Sequence, residues 1–430
     1  MSIPSIDPAS SSHESTAPHG SATTVLVIGG GAAGLMAALH AARAGAGVTL
    51  LERGTQCGRK ILISGGGRCN ILPAELEDRR FVTSSPPRLL RTMLRLWPLR
   101  EQIAFFEHDL GLPLVEEEGT CKLFPASQRA RDVRDALLRA FELAGGTVRL
   151  STFCTAVSPE ANAWLVVTEY EVLYSDAVIV ATGGLSVPST GSDGFGLRLA
   201  AQLGMPLRPT CAALTPITSD DARFTALAGI TLPVHLRAED GARHAEASGA
   251  FLFTHRGYSG PAVLDVSHVI VRACDEGRRD ARLLAQWTPY GEEDWNDMLQ
   301  GSGQHTVGSL LRREMPERLA LLLCELAQVS AGTSLAQLRR EQRRELLRLL
   351  TACPLPWNGH EGYRKAEVTD GGVDLTQVHP RSMEALQHPG LFFCGEVLDA
   401  VGPIGGYNFF WAWATGRAAG LAAAKVGSRE

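Results

Sequence analysis

The chain opens, from Thr23, on the continuous apolar run TTVLVIGG, which breaks on glycines. A run of this kind, without alternation, suits a strand buried on both faces of a parallel sheet. The Ala-rich stretch AAGLMAALHAARAGAG that follows predicts a helix closed by glycines, and VTLLER predicts a second strand, so residues 23–53 read as one βαβ unit. In RDVRDALLRAFELAGG, Val133, Leu137, Leu138 and Phe141 recur at helical spacing, with Gly145 or Gly146 as cap, ahead of the strand TVRLS. The pattern WLVVTEYEVLYSDAVIVATGG predicts a hairpin and then one more buried strand, hence a mixed sheet.

From Pro206 the texture changes. Short alternating runs (PVHLRAED, AFLFTHRG, ARLLAQW) give way to Leu/Arg-rich helices between Val307 and Leu350. After Trp357 the chain turns Gly-rich again, LFFCGEV repeats the opening pattern of apolar strand then glycine, and the helix FFWAWATGRAAGLAAAK is expected to pack back on the start. The organisation expected is therefore a tail over 1–22, one nucleotide-binding domain split between 23–205 and 358–430, and an inserted cap or substrate domain over 206–357.

Composition narrows the picture. At 45% apolar and 20% charged over 430 residues, the chain reads as globular and large enough for several cores. No apolar run is long enough to span a bilayer, so no membrane partner is expected. With 41 basic against 46 acidic residues the net charge is -5, and no basic stripe interleaved with aromatics is evident; nucleic acid is accordingly not expected as a partner. Nine cysteines without CxxC spacing fit reduced thiols in a cytoplasm, and the Ser/Pro-rich first residues lack the features of a signal peptide. No metal site is expected.

Four Gly-rich segments carry the chemistry. Gly29, Gly31 and Gly34 stand in the GxGxxG register between strand and helix, with Ala33 between them, where small residues let backbone approach a pyrophosphate held at a helix N-terminus. Glu52, 18 residues beyond Gly34 and followed by Arg53, closes the second strand where a carboxylate meets the adenosine ribose; this favours FAD or NAD over NADP. In GRKILISGGGRCN the consecutive Gly65, Gly66 and Gly67 suggest a loop passing close to a flat ligand, with Lys60 and Arg68, beside Arg59, supplying positive charge. Ser64, Cys69 and Asn70 border the same loop, Ser64 and Asn70 as potential donors to a flavin edge. In ATGGLSVPSTGSDGFG, Ala181, Thr182, Gly183 and Gly184 end a strand against the dinucleotide. In CGEVLDAVGPIGGYNFFWAWATG, Gly395, Glu396 and Asp399 follow a strand end, Gly405 and Gly406 leave room for a planar ring, and a helix starting near Tyr407 and Asn408 aims its N-terminus at the flavin. Phe409, Phe410, Trp411 and Trp413 read as core packing.

With these segments in place, the sequence resembles the BaiN-like family of bacterial FAD-dependent oxidoreductases, whose relatives include bile-acid 3-dehydro reductases and proteins described as aminoacetone oxidases. The likeness runs from Thr23 to Lys425 and rests on GGGAAGLMAA, KILISGGGRCN, ATGGLSVPSTGSDG, LFTHRGYSGPAVLD, AEVTDGGVDL and GEVLDAVGPIGGYNFFWAWATG. It implies an α/β fold in which a three-layer Rossmann-type FAD/NAD(P)-binding domain is interrupted by an inserted β-barrel and helices. It also implies FAD contacts at Gly29, Gly31, Gly34, Glu52, Lys60, Gly66, Arg68, Asn70, Gly183, Gly395, Glu396, Gly406, Tyr407 and Asn408. Two positions depart from the family pattern: Ile404 stands where Thr is expected, and Phe410 where Gln is expected.

In the insert, LFTHRGYSGPAVLD places His255 and Tyr258 beside a tight turn that could face a flavin across a cleft and deliver a proton. The same residues also read as a hydrogen-bonded strand end and a helix cap at Ser259. A disulfide-reductase role for Cys69 is set aside, since its nearest partner, Cys57, is not closely spaced. The function expected is FAD-dependent hydride transfer from a nicotinamide or organic donor to a small organic acceptor. NAD(P)H would bind transiently, because no second GxGxxG follows a strand. The alternative is a flavoprotein using FAD structurally or as a sensor and acting through a macromolecule such as RNA.

Overall fold

A computed structural model describes residues 22–301 and 305–428. Apart from Ala22, the expected tail lies outside the described residues. The first unit forms as its pattern predicts: strand β1 (Thr24–Ile28), helix α1 (Ala32–Arg43) and strand β2 (Gly47–Leu51). The helix α2 (Pro87–Leu94) follows, then strands β3 (Thr147–Arg149) and β4 (Ala177–Val180), helix α3 (Pro261–Asp275), strand β5 (Leu391–Phe393) and helix α4 (Tyr407–Ala423).

The five strands form one sheet in the order β5-β4-β1-β2-β3, and every pairing in it is parallel. Val27 of β1 lies in register with Leu50 of β2 and Ile179 of β4, and the whole of β4 is buried. The expected mixed sheet is corrected here. The hairpin joins Cys154–Glu160, Ala163–Thr168 and Val172–Ser175 in a separate three-stranded antiparallel sheet, leaving the central sheet wholly parallel. The half-exposed alternation of Ala163–Thr168 needs one wet face, which a sheet covered on both sides does not offer.

Helix α4 returns to pack along α1. A Cβ at Gly416 would sit 2.4 Å from the Ala33 carbonyl oxygen, and one at Gly420 would sit 2.2 Å from that of Ala37, so glycines set how closely the two backbones meet. Phe410, Trp411 and Trp413 are buried, and the two indole N–H groups donate to the carbonyls of Gly395 and Ile71 at 3.0 and 3.1 Å.

Between Ile217 and His360 the chain builds an antiparallel seven-stranded sheet, whose last strand lies beyond the boundary expected at Trp357. Its strands run in the order Cys353–Pro354, Arg282–Gln286, Thr231–Asp240, Arg243–Thr254, Gly257–Ser259, Ile217–Thr218 and Gly359–His360. Phe251, Phe253, Tyr258 and Trp287 fill its core. Helix α3 packs on this sheet and also against Leu207–Ala213, whose partner is Val368–Val373. Arg272 of α3 pairs there with the buried Asp370 at 2.6 Å, joining the middle region to the strand that leads back to the dinucleotide fold.

Candidate functional site

A cavity of about 590 Å³ opens where the loop after β1, the Gly-rich loop of residues 64–70, the loop after β4 and the segment before α4 converge. That volume falls inside the roughly 300–1,000 Å³ usual for cofactor and small-molecule sites.

The β1–α1 turn shows three glycines with three different reasons. Gly29 has φ +104°, and a Cβ there would lie 2.6 Å from the Ala181 carbonyl oxygen. A Cβ at Gly34 would lie only 1.8 Å from the Gly29 carbonyl oxygen, so this glycine lets α1 lie on β1. Gly31, the N-cap of α1, has nothing within 4 Å of its missing Cβ, and no side chain caps the helix. Free space against an uncapped helix N-terminus is what a pyrophosphate requires. Arg59 borders the same cavity without an ion-pair partner among the described residues. These features fit a dinucleotide.

Glu52 is buried at the end of β2, its oxygens accepting from the N–H of Gly30 at 2.8 Å and of Gly54 at 2.6 Å. A carboxylate offers about four lone-pair sites, so capacity for ribose hydroxyls remains. Arg53 pairs with Asp193 at 2.7 Å and lies over the Phe153 ring. Lys60 lines the cavity and donates to Glu396 at 2.6 Å and to Ser186 at 2.5 Å. Glu396 completes the knot by accepting from the Ser186 hydroxyl and from the N–H of Thr369. Arg68 pairs with Glu117 and stacks on Phe124.

Ser64, Gly65, Gly66, Arg68 and Asn70 line the cavity. Gly65, Gly66 and Gly67 all take left-handed φ, +54°, +68° and +85°. Asn70 ties the two ends of the chain together: its amide donates to the Leu72 carbonyl at 3.2 Å and accepts from the Gly406 N–H at 3.1 Å. Gly406 has φ +90°, and a Cβ there would strike Leu72 backbone at 2.4 Å. Asn408 pins the preceding loop by bonding both the N–H and the carbonyl of Gly402.

The cavity brings together most of the residues expected at the cofactor, including Ala33, Ala181, Thr182, Gly183, Glu396 and Gly405. Gly34, Gly67, Cys69, Gly184, Gly395, Asp399 and Tyr407 stand behind its wall. Gly395 packs on Ala33, and a Cβ at Gly184 would meet Thr369 at 2.4 Å. Asp399 accepts from Thr83, Ser84 and Ser85, and Tyr407 donates to the Glu75 carbonyl. Cys69 and Cys57 are buried, and burial pushes both thiols up to about 12, so neither is a thiolate near neutrality. Of the two positions where the resemblance led to a different residue being expected, Ile404 borders the cavity whereas Phe410 lies in the core.

The proton donors expected in the insert lie elsewhere. Tyr258 is fully buried among Phe224, Phe251 and Phe253, with its hydroxyl donating to the Pro356 carbonyl at 2.9 Å. His255 is exposed at the adjoining turn, and neither side chain lines the cavity. The insert contributes the start of α3 instead, through Pro261 and Leu264.

Beside these stand Glu367 and Lys122, which carried no functional assignment in the sequence reading. Glu367 lies in AEVTDGGVDL, one of the segments that carry the family resemblance. Glu367 is accessible through the cavity yet surrounded by protein; burial raises its pKa, the neighbouring Asp265 raises it further, and Lys122 draws it down. Asp265, on α3, accepts from the Ile404 N–H at 2.8 Å and pairs with Arg80 at 3.2 Å.

Burial lifts Asp265 from 3.8 to about 6, against the opposing pull of the Ile404 N–H, Arg80 and Lys122. The folded chain thus binds its proton more tightly than the unfolded chain, and this group's share of stability falls as pH rises from about 4 to about 6. Asp265→Asn, whose amide oxygen still accepts from Ile404, is expected to flatten that part of the stability curve, a difference on the order of 2 kcal/mol. Urea unfolding at pH 4, 5, 6 and 7 measures it; parallel curves for the two proteins would refute the assignment.

Residues 23–422 match the model described as the HI0933-like protein Rossmann domain. A ribosomal RNA dihydrouridine synthase of Escherichia coli (strain K12) is 34% identical over 91% of this chain and 95% of its own length. A protein of the same name from Haemophilus influenzae is 34% identical over 92% of this chain and 97% of its own length. The 3-dehydro-bile acid delta(4,6)-reductase of Clostridium scindens is 32% identical over 93% of this chain and 98% of its own length. The two relatives named for ribosomal RNA overturn the expectation that nucleic acid is excluded as a partner. That expectation rested on the net charge of -5, a sum blind to where basic side chains gather, and on finding no basic stripe interleaved with aromatics along the chain. Among the described residues no helix is long and apolar enough to cross a membrane. The family match and these relatives together make the chain a member of the HI0933-like family of FAD-dependent Rossmann oxidoreductases.

Proposed function

We propose that the chain reduces a carbon–carbon double bond conjugated to a ring carbonyl, with NAD(P)H as a transient donor, and that its substrate is a uridine of ribosomal RNA. The observation that carries this reading is Glu367, an acid inclined to keep its proton, on the wall of the same cavity as the glycine cradle. Dihydrouridine is uridine with its conjugated ring double bond saturated, and a 3-keto-4,6-diene is reduced in the same manner. The names of both kinds of relative therefore support one chemistry.

In this reading Gly29, Gly31 and the start of α1 hold the FAD pyrophosphate, Glu52 receives the ribose, and Gly65, Gly66, Gly405 and Gly406 take the ring. Bound FAD supplies the hydride for the carbon β to the carbonyl. Glu367 holds at its carboxyl oxygen the proton destined for the α carbon and recovers it from water. Lys122 keeps the resulting carboxylate from being stranded. Asn70 and Asn408 fix the loops against the ring, and Pro261 and Leu264 exclude water.

The test is anaerobic. The NADPH-reduced holoprotein is mixed with ribosomal RNA transcribed in vitro, which carries no modification, and digested nucleosides are analysed by mass spectrometry. Dihydrouridine is the expected product. A second reading, reduction of a small enone, is favoured by the apolar Ile404 on the cavity wall. Absence of dihydrouridine together with rapid flavin reoxidation by a cyclic enone would select it. Flavin that neither substrate reoxidises would reject both.

A further inference from the structure

The stretch RRFVTSSPPRLLRTMLRLWPLR, residues 79–100, holds six arginines and no acidic residue in a chain of net charge -5. Within it, α2 buries Leu90, Met93 and Leu94 and turns Arg88 and Arg91 outward, with Arg95 one turn further on the same face. Arg381 joins them from a distant part of the chain, and the four guanidinium side chains line an open hollow of about 510 Å³ together with Thr92 and Leu96. Other arginines are neutralised by carboxylates, as Arg243 is by Asp240 and Glu276. Here Arg88, Arg91 and Arg381 have no carboxylate partner among the described residues, and Arg95 reaches Asp78 only at 3.9 Å. Like charges gathered without counterions on a rigid helix repel one another, and a polyanion relieves that repulsion.

A second observation ties this face to the cavity. The strap of residues 79–85 leads from it to the loop before α4. Arg80 pairs with Asp265 and lies over the Tyr407 ring, Val82 pairs with Val401, and Thr83, Ser84 and Ser85 all bond one oxygen of Asp399. The arginines are thereby held in fixed register with the loop that carries Ile404 and Gly405.

We propose that Arg88, Arg91, Arg95 and Arg381 form a docking surface for the phosphate backbone of an RNA segment flanking the uridine to be reduced. The proposal rests on the RNA reading of the preceding subsection. Phosphate contacts of this kind position a strand without reading its sequence.

The test compares the holoprotein with the triple variant Arg88→Ala/Arg91→Ala/Arg381→Ala, using a fluorescent fragment of unmodified ribosomal RNA and anisotropy titrations across a salt series. Loss of three phosphate contacts should raise Kd by about tenfold or more at moderate salt and make the slope of log K against log salt shallower by about 2 to 3. Flavin content, melting temperature and flavin reduction by NADPH should not change. The triple Arg→Lys variant, which keeps the charge, should retain most of the affinity and the slope, so general damage to the fold is told apart from loss of charge. If the wild type binds RNA and yields dihydrouridine while the Ala variant binds with unchanged Kd and slope, the docking surface is refuted and the RNA reading survives. A wild type that binds no RNA removes both. Capture by anionic phosphatidylglycerol vesicles that the Ala substitutions abolish, with RNA affinity unaltered, would reassign the face to a lipid surface and overturn the proposal.

Discussion

Gly34→Ala is expected to give a colourless protein with a melting temperature lowered by roughly 2–6 °C, whereas Gly31→Ala keeps the native melting temperature of the apoprotein and loses only its hold on FAD. The two positions lie three residues apart in one turn but meet different surroundings. A methyl group at Gly34 would stand 1.8 Å from the Gly29 carbonyl oxygen, so α1 must move off β1 and take the pyrophosphate cradle with it. Overpacking of that kind costs about 1–3 kcal/mol, sometimes more, which sets the scale of the shift in melting temperature. At Gly31 the same methyl group meets nothing within 4 Å and enters the space reserved for the ligand. Differential scanning fluorimetry of both apoproteins, with the visible flavin spectrum of each as purified, separates the effects. A yellow, stable Gly34→Ala protein would contradict the packing argument, and full flavin content in Gly31→Ala would contradict the placement of the pyrophosphate.

The second large effect is expected at Glu367. Glu367→Gln preserves shape and hydrogen-bonding capacity but has no proton to give, so substrate reduction should slow by about 10²–10⁴ while reduction of the flavin by NADPH proceeds at the native rate. Because burial and Asp265 raise the pKa of Glu367, the native rate of substrate reduction should fall as pH climbs through that raised value, and the Gln variant should lose this limb. Stopped-flow traces of the two half-reactions across pH provide the measurement. Equal rates in both half-reactions, with the pH limb retained, would remove Glu367 from the chemistry.

What could be read from the sequence was what is local along it. Strand, glycines, helix and Glu52 lie within one short stretch, each signal reinforcing the next, and the structure brings Gly29, Gly31 and Glu52 to one cavity. The glycine pairs at 65–66 and 405–406 were legible for a related reason: flanking chemistry marked both as close approaches to a ligand. Lys60 was harder, since its partner Glu396 lies far along the chain and only the fold joins the two. His255 and Tyr258 attracted notice as polar residues at a turn. In the fold Tyr258 is a core aromatic whose hydroxyl is satisfied by Pro356. Glu367 sits within AEVTDGGVDL, but its character comes from burial and from Asp265 and Lys122, both distant in sequence. The arginines of residues 79–100 are spaced by apolar and hydroxyl residues and do not read as a basic stripe along the chain; the turn of α2 and the approach of Arg381 gather them on one face.

The contact of α1 with α4 has a consequence for biosynthesis. Gly416 and Gly420 seat α4 against Ala33 and Ala37, made almost four hundred residues earlier, and so bring Asn408, Phe409, Trp411 and Ala412 to the cavity wall. A nascent chain emerging from its N-terminal side exposes the phosphate cradle and the loop of Gly65 and Gly66 long before Gly405 and Gly406 exist to close the ring's place from the other side. Firm FAD capture therefore waits until translation has passed α4, and the acquisition of colour marks closure of the whole chain rather than the folding of its first βαβ unit.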